Sequence, residues 1–226
     1  MRLFLVCILL LVVCATAMGQ QANYVPRFDA FGSFSYLATP KMNLYQRGFN
    51  GQLGMNVNRW LAIGTDFSIF KGHSSLTPEE LVPEQRARLA PYLGLLPAGT
   101  KLSVPYNAST YTFTAGPQVN IRKLRAMTFF VRPAIGILHE KVTGKPNTPL
   151  ADAVVTGLVG PSKAKSDTTI FWGAGGGMDL NVSRNMAFRV GVDVVHVKLF
   201  KELLEGGRNS VRLSIGPTYR WGSNVQ

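Results

Sequence analysis

Eight charged residues stand where, in strands, they would all project to one side: Asp29, Asp66, Arg132, Asp179, Arg189, Asp193, Arg212 and Arg220. The run Phe188-Arg189-Val190-Gly191-Val192-Asp193-Val194 shows the pattern plainly. Side chains alternate across a strand, so the Phe and the valines share one face while Arg189 and Asp193 share the other. Charges so placed can ring a narrow pore and select small ions. They can instead pair with one another and fill a closed interior. Arg189 and Asp193 lie about 13 Å apart by strand rise, too far to pair directly. Their partners must come from other strands, with Asp179 and Arg212 next in line and Arg132 farther round.

The elements that would carry these charges are eight amphipathic strands. The first, Arg27 to Leu37, turns Phe28, Ala30, Gly32, Phe34 and Tyr36 one way and Asp29, Ser33 and Ser35 the other, with Phe31 out of pattern. The second sets Phe49, Leu53, Met55 and Val57 against Asn50, Gln52, Gly54 and Asn56, and turns at a two-residue hairpin, Asn58-Arg59. The third has Leu61, Ile63, Phe67 and Ile69 opposite Ala62, Gly64, Asp66 and Ser68. Strands four (Tyr111 to Ile121), five (Thr128 to Glu140), six (Ile170 to Asn181) and seven (Phe188 to Val194) repeat the alternation, and Ser210 to Trp221 closes the set. Phe130 and Leu138 blur the polar face of strand five, and the prolines Pro117, Pro133 and Pro217 point to bulges. Strand six presents Gly173, Gly175 and Gly177 on its polar face, which leaves room for a slender channel.

The closing strand decides the environment. Its polar face holds Arg212 and Arg220, which no buried soluble core takes without partners. Its other face is Val211, Leu213, Ile215, Pro217, Tyr219 and Trp221. An apolar exterior around a polar, hydrogen-bonded interior suits a barrel in a bilayer. The rival arrangement is an exported soluble barrel enclosing a small apolar ligand, with the faces reversed. Connections read as alternately long (Thr39 to Arg47, Gly72 to Ala108, Lys141 to Asp167, Leu199 to Asn209) and short, the pattern of a membrane barrel. In the longest, Thr77-Pro78-Glu79-Glu80 reads as a helix start, and a second short helix opens at Pro83 and ends before Pro91. The apolar Tyr92 to Leu96 follows.

Residues 1–19 read as a cleaved signal peptide: Arg2, then apolar Leu3 to Val13, then small residues around Ala17. The barrel domain is residues 20–226. Both cysteines, Cys7 and Cys14, fall in the leader, so the mature chain has no disulfide and no thiolate metal site. The formal net charge of +12 favours anionic partners, and for an exported chain these are lipopolysaccharide phosphates and acidic polymers. No basic helix, zinc pattern or aromatic RNA-binding signature speaks for nucleic acid.

The Gly-rich alternating strands, the repeated Ala115-Gly116-Pro117 and the closing Ile215-Gly216-Pro217-Thr218-Tyr219-Arg220-Trp221 resemble the small eight-stranded outer-membrane barrels, the OmpA-transmembrane-domain and porin-like superfamily. The resemblance covers Arg27 to Trp221. It implies an all-β, antiparallel, up-and-down transmembrane barrel in a bacterial outer membrane, with long extracellular loops and short helices in the second loop. It also implies lipid and lipopolysaccharide contacts, insertion by the barrel-assembly machinery, and a structural, surface-binding or small-pore role. The loop from 72 to 108 is the candidate for a surface partner. His73-Ser74-Ser75 looks like the His/Ser pairing of outer-membrane lipid-modifying hydrolases, yet no orienting acid stands beside His73. His139 beside Glu140 and His196 near Lys198 read as interface residues. The chain is therefore expected to be a non-enzyme without cofactor, metal or catalytic residues.

Overall fold

A computed structural model describes residues 24–94, 102–124 and 126–225. The expected signal peptide, residues 1–19, lies outside the described residues, and of Tyr92 to Leu96 only the backbone as far as Gly94 is described.

Alternating sequence builds eight strands: β1 (Pro26–Thr39), β2 (Leu44–Asn56), β3 (Leu61–Leu76), β4 (Val104–Ile121), β5 (Met127–Gly144), β6 (Ala164–Asn181), β7 (Met186–Val197) and β8 (Arg208–Asn224). Each pairs antiparallel with its sequence neighbours, and β8 pairs with β1 to close the barrel. At the seam Ala30 faces Tyr219 and Phe28 faces Trp221, whose rings stack at 5.9 Å. Closure leaves no exposed edge. The outward face is a band of apolar side chains, among them Phe49, Leu53, Ile135, Ile170 and Trp172, all more than 60% exposed. These faces run opposite to those of a soluble barrel enclosing an apolar ligand.

Several expectations need correcting. The first connection is not a long turn-rich stretch. Leu44 and Gln46 point inward and are 1% exposed, so β2 starts at Leu44 and only Pro40 to Asn43 remain to turn the chain. Asn43 takes the left-handed conformation there, at φ 48°, one that asparagine tolerates well. Asn58-Arg59 is not a two-residue hairpin either. The turn spans Val57 to Trp60, and the Asn58 side chain accepts hydrogen bonds from the Trp60 and Leu61 amides at 2.9 and 2.8 Å.

The strand prolines make no bulge. Ala115 pairs Ile135 and Val119 pairs Val131, so Pro117 and Pro133 stand opposite one another in an unbroken register. Each lacks an N–H, and setting them face to face confines both losses to one gap in the ladder. Pro217 likewise stays in register with Phe188. Among the described residues the register shifts between Pro26 and Phe28 alone.

The loop end carries two α-helices: α1 (Pro83–Leu93), with Pro91 inside it rather than beyond it, and α2 (Pro149–Val159). Thr77-Pro78-Glu79-Glu80 forms a 3-10 turn, with the Glu80 carboxylate accepting from the Thr77 amide at 3.0 Å. Helix α2 was not expected, although its start is written conventionally. The Thr148 hydroxyl caps the Ala151 amide at 3.1 Å, Pro149 follows, and Asp152 lies in the first turn.

Candidate functional site: a charge-paired lumen under an apolar roof

The barrel interior is built in three tiers. Nearest the short turns, Arg189 on β7 donates to Asp179 on β6 through Nε (2.6 Å) and Nη2 (2.9 Å), and through Nη1 to Gln52 (2.7 Å). Arg220 on β8 donates to one of the same Asp179 oxygens, Oδ2, at 2.5 Å and to Asn181 at 2.7 Å. Asp29 stands 3.7 Å from Arg189. The Arg189 guanidinium also lies over the rings of Phe130 (4.8 Å) and Phe31 (5.3 Å). Those two apolar residues break the polar pattern of their strands because they form the aromatic floor for a buried cation.

The middle tier joins two arginines and two aspartates from four strands. Arg212 donates to Asp66 at 2.8 and 3.0 Å, to Asp193 at 2.9 Å and to Ser68 at 2.7 Å. Arg132 donates to Asp193 at 3.1 and 3.0 Å and approaches Asp66 at 3.4 Å. The inward glycines of β6 leave no duct, because other side chains occupy their space. A Cβ on Gly175 would sit 1.8 Å from the Asp193 carboxylate, and one on Gly177 2.7 Å from the Phe130 ring. A void of about 20 Å³ beside Arg132 and Asp66 has room for water alone.

The third tier went unread in the sequence. Arg208 donates to Glu140 at 2.8 Å, Thr110 donates to the same carboxylate at 3.1 Å, and Gln46 donates to Thr110 at 2.9 Å. Glu140 had an inward position, but Arg208 fell in a stretch that reads as loop. The interior thus sets Arg132, Arg189, Arg208, Arg212 and Arg220 against Asp29, Asp66, Glu140, Asp179 and Asp193. The two sets match in number, as burial demands.

Above this tier the loops form an apolar roof. Leu81, Leu89, Leu102, Val104, Ala151, Val154 and Val155 pack as one cluster, with Leu158, Val159 and Leu204 bridging to a second around Phe171, Phe200 and Leu203. The second and fourth loops are stitched by backbone hydrogen bonds, Val82 to Leu203 (2.9 Å) and Glu205 to Glu80 (3.1 Å), about a bridge between Leu81 and Leu204. A void of about 80 Å³ remains beneath, between the apolar side chains and the Glu140–Arg208 pair.

The histidines lie elsewhere. His73 is exposed, and its neighbour Ser74 donates instead to the Met42 carbonyl at 2.9 Å. His139 shares a hydrogen bond with Thr168 (2.7 Å) and His196 with Asn209 (2.8 Å), the latter ring lying 5.5 Å from Trp172.

A closed barrel with an apolar exterior and a charge-paired polar interior, in which the Thr112 and Thr218 hydroxyls alone among the described buried side chains lack a partner, is an integral membrane barrel, crossing by strands rather than helices. The chain belongs to the outer membrane protein beta-barrel domain family, whose model matches residues 7–221. It is a bacterial outer-membrane protein, with its short turns in the periplasm and its long loops outside. Among solved structures it is similar to Neisserial surface protein A, at 11% identity and TM-score 0.54, covering 90% of this chain and 99% of that one. It is also similar to Ail of Yersinia pestis in complex with a heparin analogue (16%, TM-score 0.47, 86% and 96%) and to OprG of Pseudomonas aeruginosa (8%, TM-score 0.49, 89% and 98%). At these identities the likeness is one of fold. A comparison with curated protein sequences finds no match.

Proposed function

We propose that this protein is a sealed, non-conducting barrel that works as a structural and surface-binding element of the outer membrane. One observation carries the reading: the lumen is filled by matched carboxylates and guanidiniums from all levels of the wall and is then roofed by apolar loops. A selective pore needs charges that an ion can exchange with, and here each acid is already engaged. The placement of the histidines supports a scaffold over a hydrolase, since none shares a hydrogen bond with a serine and an acid in series.

Binding falls to the exterior. Arg47 on β2 faces Lys71 on β3, and Ser109 on β4 connects the row to Lys141 on β5. All three cations point outward just above Phe49, Ile69 and Tyr111, at the height where apolar wall gives way to polar loops. Among the described residues, none of the 12 acids projects outward from a strand. The row fits the phosphates of outer-leaflet lipopolysaccharide, and the stitched 72–108 loop offers a firm platform for a surface partner. The exposed Tyr219 and Trp221 of β8 are placed for reading by the barrel-assembly machinery. Refolded protein in planar bilayers should pass no steady current. A stable anion-selective conductance, abolished by Arg132→Ala, would overturn the sealed reading.

A further inference from the structure

The periplasmic end breaks the charge balance that holds elsewhere inside the barrel. The β4–β5 turn carries Arg122 and Lys123, the β6–β7 turn carries Arg184, and neither turn contains an acid. With Arg220 at the end of β8, these cations line a cavity of about 220 Å³ that opens at the barrel's lower mouth, where Asn56 and Asn181 add amide groups.

The nearest carboxylates do not neutralise it. Asp179 accepts from Arg189 at 2.6 and 2.9 Å and, through Oδ2 again, from Arg220 at 2.5 Å. Asp29 lies against Arg189. Among the described residues Arg122 donates to neutral oxygens, Asn56 Oδ1 at 2.9 Å and the Arg59 carbonyl. Burial, with Arg220 next in effect and Asp29 and Asp179 opposing, pushes the pKa of its guanidinium down to about 10. Arg184 is held in place as well: its guanidinium lies 3.7 Å over the Tyr24 ring, whose hydroxyl donates to the Gly222 carbonyl. Arg122 and Arg184 are thus held beside this space by contacts that do not cancel their charge, while Arg220 is paired with Asp179.

We propose that this cavity is an oxyanion site for a phosphate group presented from the periplasm. Several guanidiniums and an ammonium converging on one space suit a tetrahedral, multiply charged oxyanion better than a single carboxylate. The site is separate from the outward row of Arg47, Lys71 and Lys141, which lies at the opposite end of the barrel. A phosphate group can arrive free in solution or on an inner-leaflet phospholipid, and both would use the same donors.

The test uses full-length protein refolded in zwitterionic detergent, titrated with inorganic phosphate by calorimetry. A parallel titration uses phosphatidylglycerol and phosphatidylcholine vesicles. Saturable phosphate binding, weakened tenfold or more by Arg122→Gln with Arg184→Gln and unchanged by Arg47→Gln with Lys71→Gln, is the expected result. Binding to phosphatidylglycerol alone, with the same dependence on these residues, identifies the lipid headgroup as the source. Lys123→Gln with Arg184→Gln alters only exposed side chains, so it serves where Arg122→Gln impairs refolding, judged by gel mobility before and after heating. No saturable binding to either probe, or binding indifferent to all these substitutions, overturns the proposal.

Discussion

Arg212 and Arg47 both sit within strands of the same wall and have opposite surroundings. Arg212 points inward, is 6% exposed and is held between Asp66 and Asp193. Arg47 points outward, stands beside Lys71, and has no carboxylate partner among the described residues. The residue type is the same, so what separates a structural charge from a binding charge is the side of the sheet and the partners found there. A paired interior charge has spent its field locally, whereas an unpaired exterior one keeps its field for a ligand.

The largest break in this comparison is Arg212→Ala. It leaves Asp66 and Asp193 with Arg132 alone, and removing one partner of a buried pair costs about 3–5 kcal/mol. Urea unfolding in lipid vesicles should show that loss, and a change below about 1 kcal/mol would mean that the middle tier is not holding the barrel. Next comes Val192→Arg, which puts a charge on the lipid side one residue away from the buried Asp193. Near the bilayer midplane it should cost about 2–4 kcal/mol in the same assay. An unaffected midpoint would place Val192 away from the hydrocarbon. The smallest stability effect belongs to the triple change Arg47→Gln, Lys71→Gln, Lys141→Gln, expected to shift unfolding by no more than about 0.5 kcal/mol. Its signature is instead a lost, salt-sensitive preference for vesicles containing lipopolysaccharide over phosphatidylcholine vesicles. Retained preference would remove the row from the binding surface.

The wall was legible because period-two alternation is a local signal, repeated eight times, and membrane and lumen impose it on both faces. The inward positions of Asp29, Asp66, Arg132, Asp179, Arg189, Asp193, Arg212 and Arg220 follow from that alternation alone. The neighbouring-strand pairs follow as well, Asp179 with Arg189 and Arg212 with Asp193, but the reach of Arg212 to Asp66 does not, because those two come from strands across the barrel. Above the membrane the signal changes. At Leu44 to Arg47, Gly72 to Leu76 and Lys141 to Gly144 the strands continue where no lipid requires an apolar exterior, so outward residues such as Arg47 and Lys141 read as loop. Arg208 was lost from view for the same reason, and with it the Glu140 pair. Helix α2 did carry a signal in Thr148, Pro149 and Asp152, masked by the Lys, Gly, Pro and Ser around it. The prolines misled because a single sequence cannot show that Pro117 and Pro133 stand face to face.

The stitched roof also sets an order of events. Leu81 and Leu204 are separated by β4, β5, β6 and β7, so their bridge can form only after those strands have curled round and brought the fourth loop back to the second. The loop end must therefore stay open while the wall is assembled, and water displaced from around the arginines has a way out until then. Assembly of this molecule finishes at its outer surface, far from the membrane face where its chain arrives.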